Sequence, residues 1–400
     1  MSTSPEILID RRGTAGIITL NRPAALNAVT RGMVATLHEA LELWRHDGAV
    51  SRVIVMAAGE RAFSAGGDLR QIYDFGRTGR QSEVLAFWRE EYTLNAAIKH
   101  YPKPYVALID GIVMGGGVGI SIHGSHRVAG DRFQFAMPEV SIGFFPDVGG
   151  TWFLPRLPGE FGTWCALCGD RIKAADAVAT KVATHRVASV RFPDLVEALC
   201  GAVAVDAILA AFAEPTSSPF PTHPSPSPLV GEGRGGGSGG FGLAAPHLPT
   251  PTPDPSPQGG GEKGVQSGIT ARRGAIDRLF AAGSVEAILA GLDAEAGSGS
   301  RDAEWSRATA AALRAKAPTS LKLALAQMRR GRDWSFAQCM RAEFRIASRA
   351  AYGEDFYEGI RAVIVDKDNA PRWRPATLAE VSDASIEHYF APIAAELELP

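Results

Sequence analysis

Two acidic residues stand eight positions apart in the otherwise apolar stretch Ala136-Met137-Pro138-Glu139-Val140-Ser141-Ile142-Gly143-Phe144-Phe145-Pro146-Asp147-Val148-Gly149-Gly150. Two prolines and three glycines interrupt it. Each proline removes a backbone donor and fixes its own φ, so the stretch is no single helix. Glu139 and Asp147 are therefore expected on turns with apolar walls, where loss of water raises a carboxyl pKa towards values useful for moving protons. Plainer roles are open to both. Glu139 could be a solvated loop acid, and Asp147 could cap a helix beginning near Gly149.

Upstream, two glycine turns offer the complementary chemistry. Phe63-Ser64-Ala65-Gly66-Gly67-Asp68-Leu69 and Asp110-Gly111-Ile112-Val113-Met114-Gly115-Gly116-Gly117-Val118-Gly119 share an order of apolar strand, small-residue turn, then helix. Glycine lets a backbone bend sharply and brings N–H donors close to a ligand at a helix start. Two such donors aimed at one point make an oxyanion hole, and losing one costs about 3–4 kcal/mol of transition-state stabilisation. Taken singly, either turn could be a tight connection. Neither matches the phosphate-loop pattern G-x-x-x-x-G-K-[ST], and the first lacks G-x-G-x-x-G, so nucleotide binding has little support. Asp68 suits a helix cap. His123 and His126 have no partner acid at metal-ligand spacing, and no metal is assigned.

The surrounding elements read as an α/β protein. Ile7–Ile9 and Ala15–Leu20 suggest a strand pair, and Thr30 to about Trp44 is amphipathic with Met33, Leu37, Leu41 and Trp44 at helical spacing. Continuous apolar runs near 52–58, 105–109 and 126–129 read as buried strands covered on both faces. Cys165 and Cys168 lie on what reads as the buried face of a helix. Between Pro215 and Gly261, twelve prolines and eleven glycines with only three charges fall within 47 residues, a composition unable to bury a core. Beyond it the patterning is helical: near 275–280 and 285–292, from Leu321 to about Arg330 with Thr319 or Ser320 as cap, Phe336 to Ala351, and Asp355 to Ile364.

Composition excludes several classes. A net charge of −2 leaves no electrostatic footprint for nucleic acid. No run of eighteen apolar residues is present, so no membrane span is expected. Four cysteines in 400 residues are no disulfide framework, and with an amino terminus lacking signal-like regions they point to the cytoplasm.

Taken together, Ala62–Leu69, the Gly111–Gly119 turn and Pro138–Gly150 resemble the crotonase (enoyl-CoA hydratase/isomerase) superfamily. The 3-hydroxyisobutyryl-CoA hydrolase branch is the more similar, through Trp88-Arg89-Glu90-Glu91-Tyr92, Met114–Gly119, Phe145–Gly150, Pro318-Thr319-Ser320-Leu321-Lys322 and Asp355–Ala362. The resemblance implies a crotonase-like ββα spiral core with an all-helical C-terminal region covering the active site. With the composition of the middle segment, the expected partition is a core at 1–200, a helical connection at 201–214, a disordered insertion at 215–268 and a helical region at 269–400. It implies that the Gly67 and Gly116 amides polarise a coenzyme A thioester carbonyl flanked by Glu139 and Asp147, with Glu91 touching substrate. Hydratases carry a catalytic glutamate where this chain has Gly119, and tend to carry glycine where it has Asp147. The expected activity is hydrolysis of a short 3-hydroxyacyl-CoA, with 3-hydroxyisobutyryl-CoA and valine breakdown foremost. No cofactor is expected beyond the coenzyme A of the substrate, and a homo-oligomer is compatible. An enoyl-CoA isomerase or hydratase and a non-catalytic acyl-CoA-binding protein are the alternatives. Lys367 would face either solvent or the nucleotide end of coenzyme A.

Overall fold

A computed structural model describes residues 4–215 and 268–399, and those residues pack as one unit. The 215–268 insertion, apart from its two end residues, lies outside the described residues. The strands are β1 (Ile7–Arg12), β2 (Ala15–Leu20), β3 (Arg52–Ala57), β4 (Ala62–Ser64), β5 (Tyr105–Ile109), β6 (Ile112–Met114), β7 (His126–Ala129), β8 (Gln134–Ala136), β9 (Ile172–Lys173) and β10 (His185–Arg186). They form two sheets.

The larger sheet has the order β1-β2-β3-β5-β7-β10 and is parallel apart from the β1–β2 hairpin. Alternation decides what each face meets. Ile17, Ile54, Val106, Leu108 and Val128 point to a cluster with Leu195, Leu199 and Leu209 from the helices Phe192–Cys200 and Val205–Phe212. Ile18, Val53, Val55, Ala107 and Ile109 point the other way, into the main core. There they meet α1 (Arg31–His46), which buries Met33, Leu37, Leu41 and Trp44 as its spacing predicts and is capped by Thr30, whose hydroxyl accepts from Met33 N at 3.2 Å. The expectation of strands covered on both faces is met.

The smaller sheet, β4-β6-β8-β9, positions the site. Its strands β4, β6 and β8 are parallel and only three residues long. Their carboxyl ends deliver, in turn, Gly66-Gly67, Gly115-Gly116 and Pro138-Glu139. Ligands gather at such strand ends in open α/β sheets. The helices α2 (Leu69–Arg77), α3 (Gln81–Lys99) and α4 (Gly116–Ser121) follow the first two turns, and α3 lies alongside α4.

Among the described residues the chain after 268 forms helices and no strand, as expected. Two details differ from the sequence reading. A helix at Ala303–Arg314 was not anticipated, because its buried face is formed by Ser306, Thr309, Ala310 and Leu313, of which only the last is a large apolar residue. The helix Pro318–Gly331 begins earlier than Leu321, with Ala317 before it and no side-chain cap, so neither Thr319 nor Ser320 serves as one. Proline suits that first turn, where its missing N–H would have no helical partner anyway. Cys165 and Cys168 are buried on the helix Phe161–Cys168, and all four cysteines are unpaired.

Candidate active site

The three strand ends open onto one cavity of about 310 Å³, lined by Gly67, Gly116, Glu91, Glu139 and Asp147 together with mostly apolar side chains. Trp88 of α3 stacks on Phe144 at 5.2 Å, and Phe144 meets Phe356 at 4.6 Å. Phe356 belongs to the helix Glu354–Ile360, and Val363 and Ile364 of the π turn that continues it also line the cavity. The C-terminal helices therefore supply part of its wall.

Gly66 and Gly115 are needed for turning, and Gly116 for space. Gly66 and Gly115 hold φ of 109° and 45°, in the region that disfavours side chains. A Cβ at Gly116 would stand 2.5 Å from Glu91 Oε1 and 3.5 Å from Gly67 N. One at Gly115 would stand 3.6 Å from Glu139 Oε1 and 4.0 Å from Gly67 N. The two turns and two of the acids thus crowd into one small volume. Among the described residues neither the Gly67 nor the Gly116 amide donates to another protein group.

All three acids are buried: Glu91 is 3% exposed, Glu139 6% and Asp147 6%. Glu139 opens the 3-10 turn Glu139–Ile142, so it is not a solvated loop acid. Burial, and then the nearby Asp147, hold its carboxyl well above the usual range, and Oε2 has no partner. Burial pushes Asp147 up to about 7 against the opposing pull of the Tyr92 phenol, which donates to Oδ2 at 2.8 Å. Glu91 is raised by the same two causes as Glu139, and its Oε1 is unpartnered. Buried acids this close cannot all ionise cheaply, so the cluster retains protons near neutral pH. Such a set can take up and return a proton while the free amides receive negative charge on oxygen.

Asp147 does not cap the short helix Gly150–Phe153. The Gly149 and Thr151 amides donate instead to Glu343, at 2.7 and 2.8 Å. Asp68 does cap α2, accepting from Gln71 N at 3.3 Å, and pairs with Arg22 at 3.2 Å. At Gly119 a Cβ would stand 2.7 Å from Asn95 Nδ2 and 2.9 Å from Val148 Cβ, so this position has no room for a side chain. His126 turns to Asp206 at 2.8 Å, and His123 to the Val148 carbonyl at 2.7 Å. Among the described residues there is no group of three or more metal-ligating side chains. No described helix is long and apolar enough to cross a membrane. Lys367 is exposed, while its neighbours Asp366 and Asp368 both turn to Arg361 at 2.7 Å.

Two residues of this neighbourhood escaped the sequence reading: Tyr92, as the partner of Asp147, and Glu343. A signal for Glu343 existed. It falls among Cys339, Met340, Phe344 and Ala347 on the buried side of the helix Phe336–Ala350, where a charge is out of place. Burial lifts its carboxyl to about 8, with the two amide bonds acting in opposition.

The chain matches the enoyl-CoA hydratase/isomerase family over residues 15–229 and 255–390. It is 39% identical to the mitochondrial 3-hydroxyisobutyryl-CoA hydrolase of Danio rerio over 397 residues, covering 97% of this chain and 90% of that protein. It is 34% identical to the Homo sapiens protein of the same name, covering 96% and 88%. Among solved structures it resembles a carnitinyl-CoA dehydratase from Mycobacterium thermoresistibile, with TM-score 0.81, 37% identity and 99% of each chain covered. An enoyl-CoA hydratase from Rhodobacter sphaeroides 2.4.1 gives TM-score 0.77 and 35% identity, covering 97% of this chain and 98% of that one. These relatives correct one expectation: the hydrolases are named as mitochondrial, which overturns the assignment to the cytoplasm. Cysteine usage reports a reducing compartment and does not say which one. By its fold, the three strand-end segments and the near full-length likeness, the chain belongs to the enoyl-CoA hydratase/isomerase family.

Proposed function

We propose that this protein hydrolyses the thioester of a short 3-hydroxyacyl-CoA, most readily 3-hydroxyisobutyryl-CoA, releasing 3-hydroxyisobutyrate and free coenzyme A in valine breakdown. One observation carries this reading. Two unspent backbone amides and the buried acids Glu139 and Asp147 share a single, largely apolar cavity. The names of the near full-length relatives support the substrate.

In this reading the acyl carbonyl oxygen sits between Gly67 N–H and Gly116 N–H. Attack on the carbonyl carbon moves negative charge onto that oxygen, which the two donors absorb. Glu139 either takes a proton from the attacking water or attacks directly, forming a mixed anhydride that water then opens. The C–S bond breaks, the acyl group gains the hydroxyl of water, and the thiolate leaves with a proton. Asp147 orients the substrate hydroxyl or the water and passes that proton. Glu91 contacts the acyl portion. The reaction draws on no metal or organic cofactor.

A second reading, hydration or isomerisation of an enoyl-CoA, is favoured by the names of the two similar solved structures. Against it stands Gly119, packed on Asn95 and Val148 where hydratases carry a glutamate. Release of free coenzyme A thiol, measured over a panel of 3-hydroxyacyl and enoyl thioesters, separates the readings. Hydrolysis of the hydroxyacyl members with no water added to the enoyl members is the expected result. Hydration without thiol release would replace the proposal, and binding with neither reaction would point to a non-catalytic acyl-CoA carrier.

A further inference from the structure

Asp147 sits on a turn that does not hold its own shape. Val148, β-branched, adopts φ 48°, and Gly149 follows at φ 87°. A residue of that kind is strained in the left-handed region and persists there only where its surroundings over-determine it. Here the surroundings are mostly side chains from far along the chain. Both carboxylate oxygens of Glu343 are spent on the turn: Oε2 accepts from Gly149 N at 2.7 Å and Oε1 from Thr151 N at 2.8 Å. Gln327 donates through Nε2 to the Pro146 carbonyl at 3.1 Å and to Thr151 Oγ1 at 2.8 Å. His123 meets the Val148 carbonyl at 2.7 Å. Phe344, next to Glu343, packs edge-on at 6.3 Å against Tyr92, the residue that holds the Asp147 carboxylate. Glu343 and Gln327 are both 0% exposed.

We propose that Glu343 is a positioning residue for Asp147: by fixing the Gly149 and Thr151 amides it sets the left-handed turn at Val148 and so aims the Asp147 carboxylate into the cavity. The inference rests on the reading that Asp147 takes part in hydrolysis. It gives the helix Phe336–Ala350 a part in the chemistry that covering the site would not require. A carboxyl group suits the task because the two amides each need an oxygen, and one side chain supplies both. Glutamine has the same shape but offers one acceptor and one donor, so one amide would face an N–H group and the turn would relax.

The test compares Glu343→Gln, Glu343→Asp and Asp147→Asn in the full chain, with free thiol release as the assay. Glu343→Gln is expected to lower kcat at least tenfold with KM within about twofold, since it touches no substrate. Glu343→Asp, which keeps both acceptors on a shorter stem, is expected to recover part of that loss. Wild-type kcat in a folded Glu343→Gln, or equal loss in the Asp and Gln variants, overturns the inference. Should Glu343→Gln not fold, Gln327→Leu loosens the same turn from Pro146 and Thr151. A lowered kcat with KM unchanged then supports the inference, and an unchanged kcat overturns it. An inactive Asp147→Asn beside a fully active Glu343→Gln defeats only this inference. A fully active Asp147→Asn defeats the reading on which it rests.

Discussion

The two halves of the cavity are built in different ways. The amide side, Gly66-Gly67 and Gly115-Gly116, is made locally: each turn leaves the end of a short parallel strand, glycine suits the positive φ of Gly66 and Gly115, and at Gly116 a Cβ would stand 2.5 Å from Glu91 Oε1. The acid side, Glu139 to Thr151, is held from a distance, by Tyr92 of α3, His123 after α4, and Gln327 and Glu343 of the C-terminal helices. Local geometry serves donors that must not move while charge develops, because donors already in place need no reorganisation. Side-chain supports serve acids whose protonation has to respond to their surroundings. Damage to the amide side should therefore remove rate with little change in proton chemistry, while damage to the acid side should alter both.

The largest effect is expected from the acid side itself. Glu139→Gln should cut turnover by about 10³-fold or more, within or beyond the range typical of a removed general base or nucleophile. Calorimetric binding of an acyl-CoA should stay near wild type, and parallel loss of binding and folding would mean that Glu139 is a structural residue. Next comes the amide side. Gly116→Ala places a Cβ 2.5 Å from Glu91 Oε1 and 3.5 Å from Gly67 N, displacing the donors, and kcat should fall about 10²-fold. The pH dependence of kcat should keep its midpoint in that variant.

A smaller loss, about tenfold, is expected for Tyr92→Phe. The phenol bond lowers the Asp147 carboxyl, so its removal should move the Asp147 titration to higher pH, which carbon-13 NMR of labelled aspartate can follow. A shift in the opposite direction would break the distinction between the two halves. The remaining effect is on stability. Asp147 titrates from 3.8 unfolded to about 7 folded, so between those values the native state keeps a proton that the unfolded chain has released. Its contribution to stability is thus present below the unfolded value and is lost as pH rises through that window. Asp147→Asn lacks that loss. Its stability relative to wild type should improve with pH by about 1.4 kcal/mol per unit across the window, measured by urea unfolding.

The same division explains what could be read in the sequence. Glu139, Asp147 and the two glycine pairs stood out through the proline, glycine and apolar spacing of their segments, and it was the family resemblance that implied they meet at one site. The long elements were legible too, α1 by its period and β3 and β5 by their apolar runs. The strands β4 and β6 were read only as the apolar start of each glycine turn, and β8 was not assigned, since three residues carry too little periodicity. Tyr92 was missed because its partner lies 55 residues away, and Glu343 was missed although its place on an apolar helix face marked it, because the partner that gives it a role lies roughly 194 residues away. The cellular compartment was misassigned because thiol content reports redox state alone.

The central claim is that one acyl oxygen is shared by the two amides. A crystal structure of the Glu139→Gln variant with 3-hydroxyisobutyryl-CoA bound tests it directly. The thioester oxygen is expected within about 2.7–3.1 Å of both Gly67 N and Gly116 N, with residues 139 and 147 on either side of the carbonyl carbon. A thioester oxygen facing elsewhere in the cavity, or touching only one of those nitrogens, would contradict it.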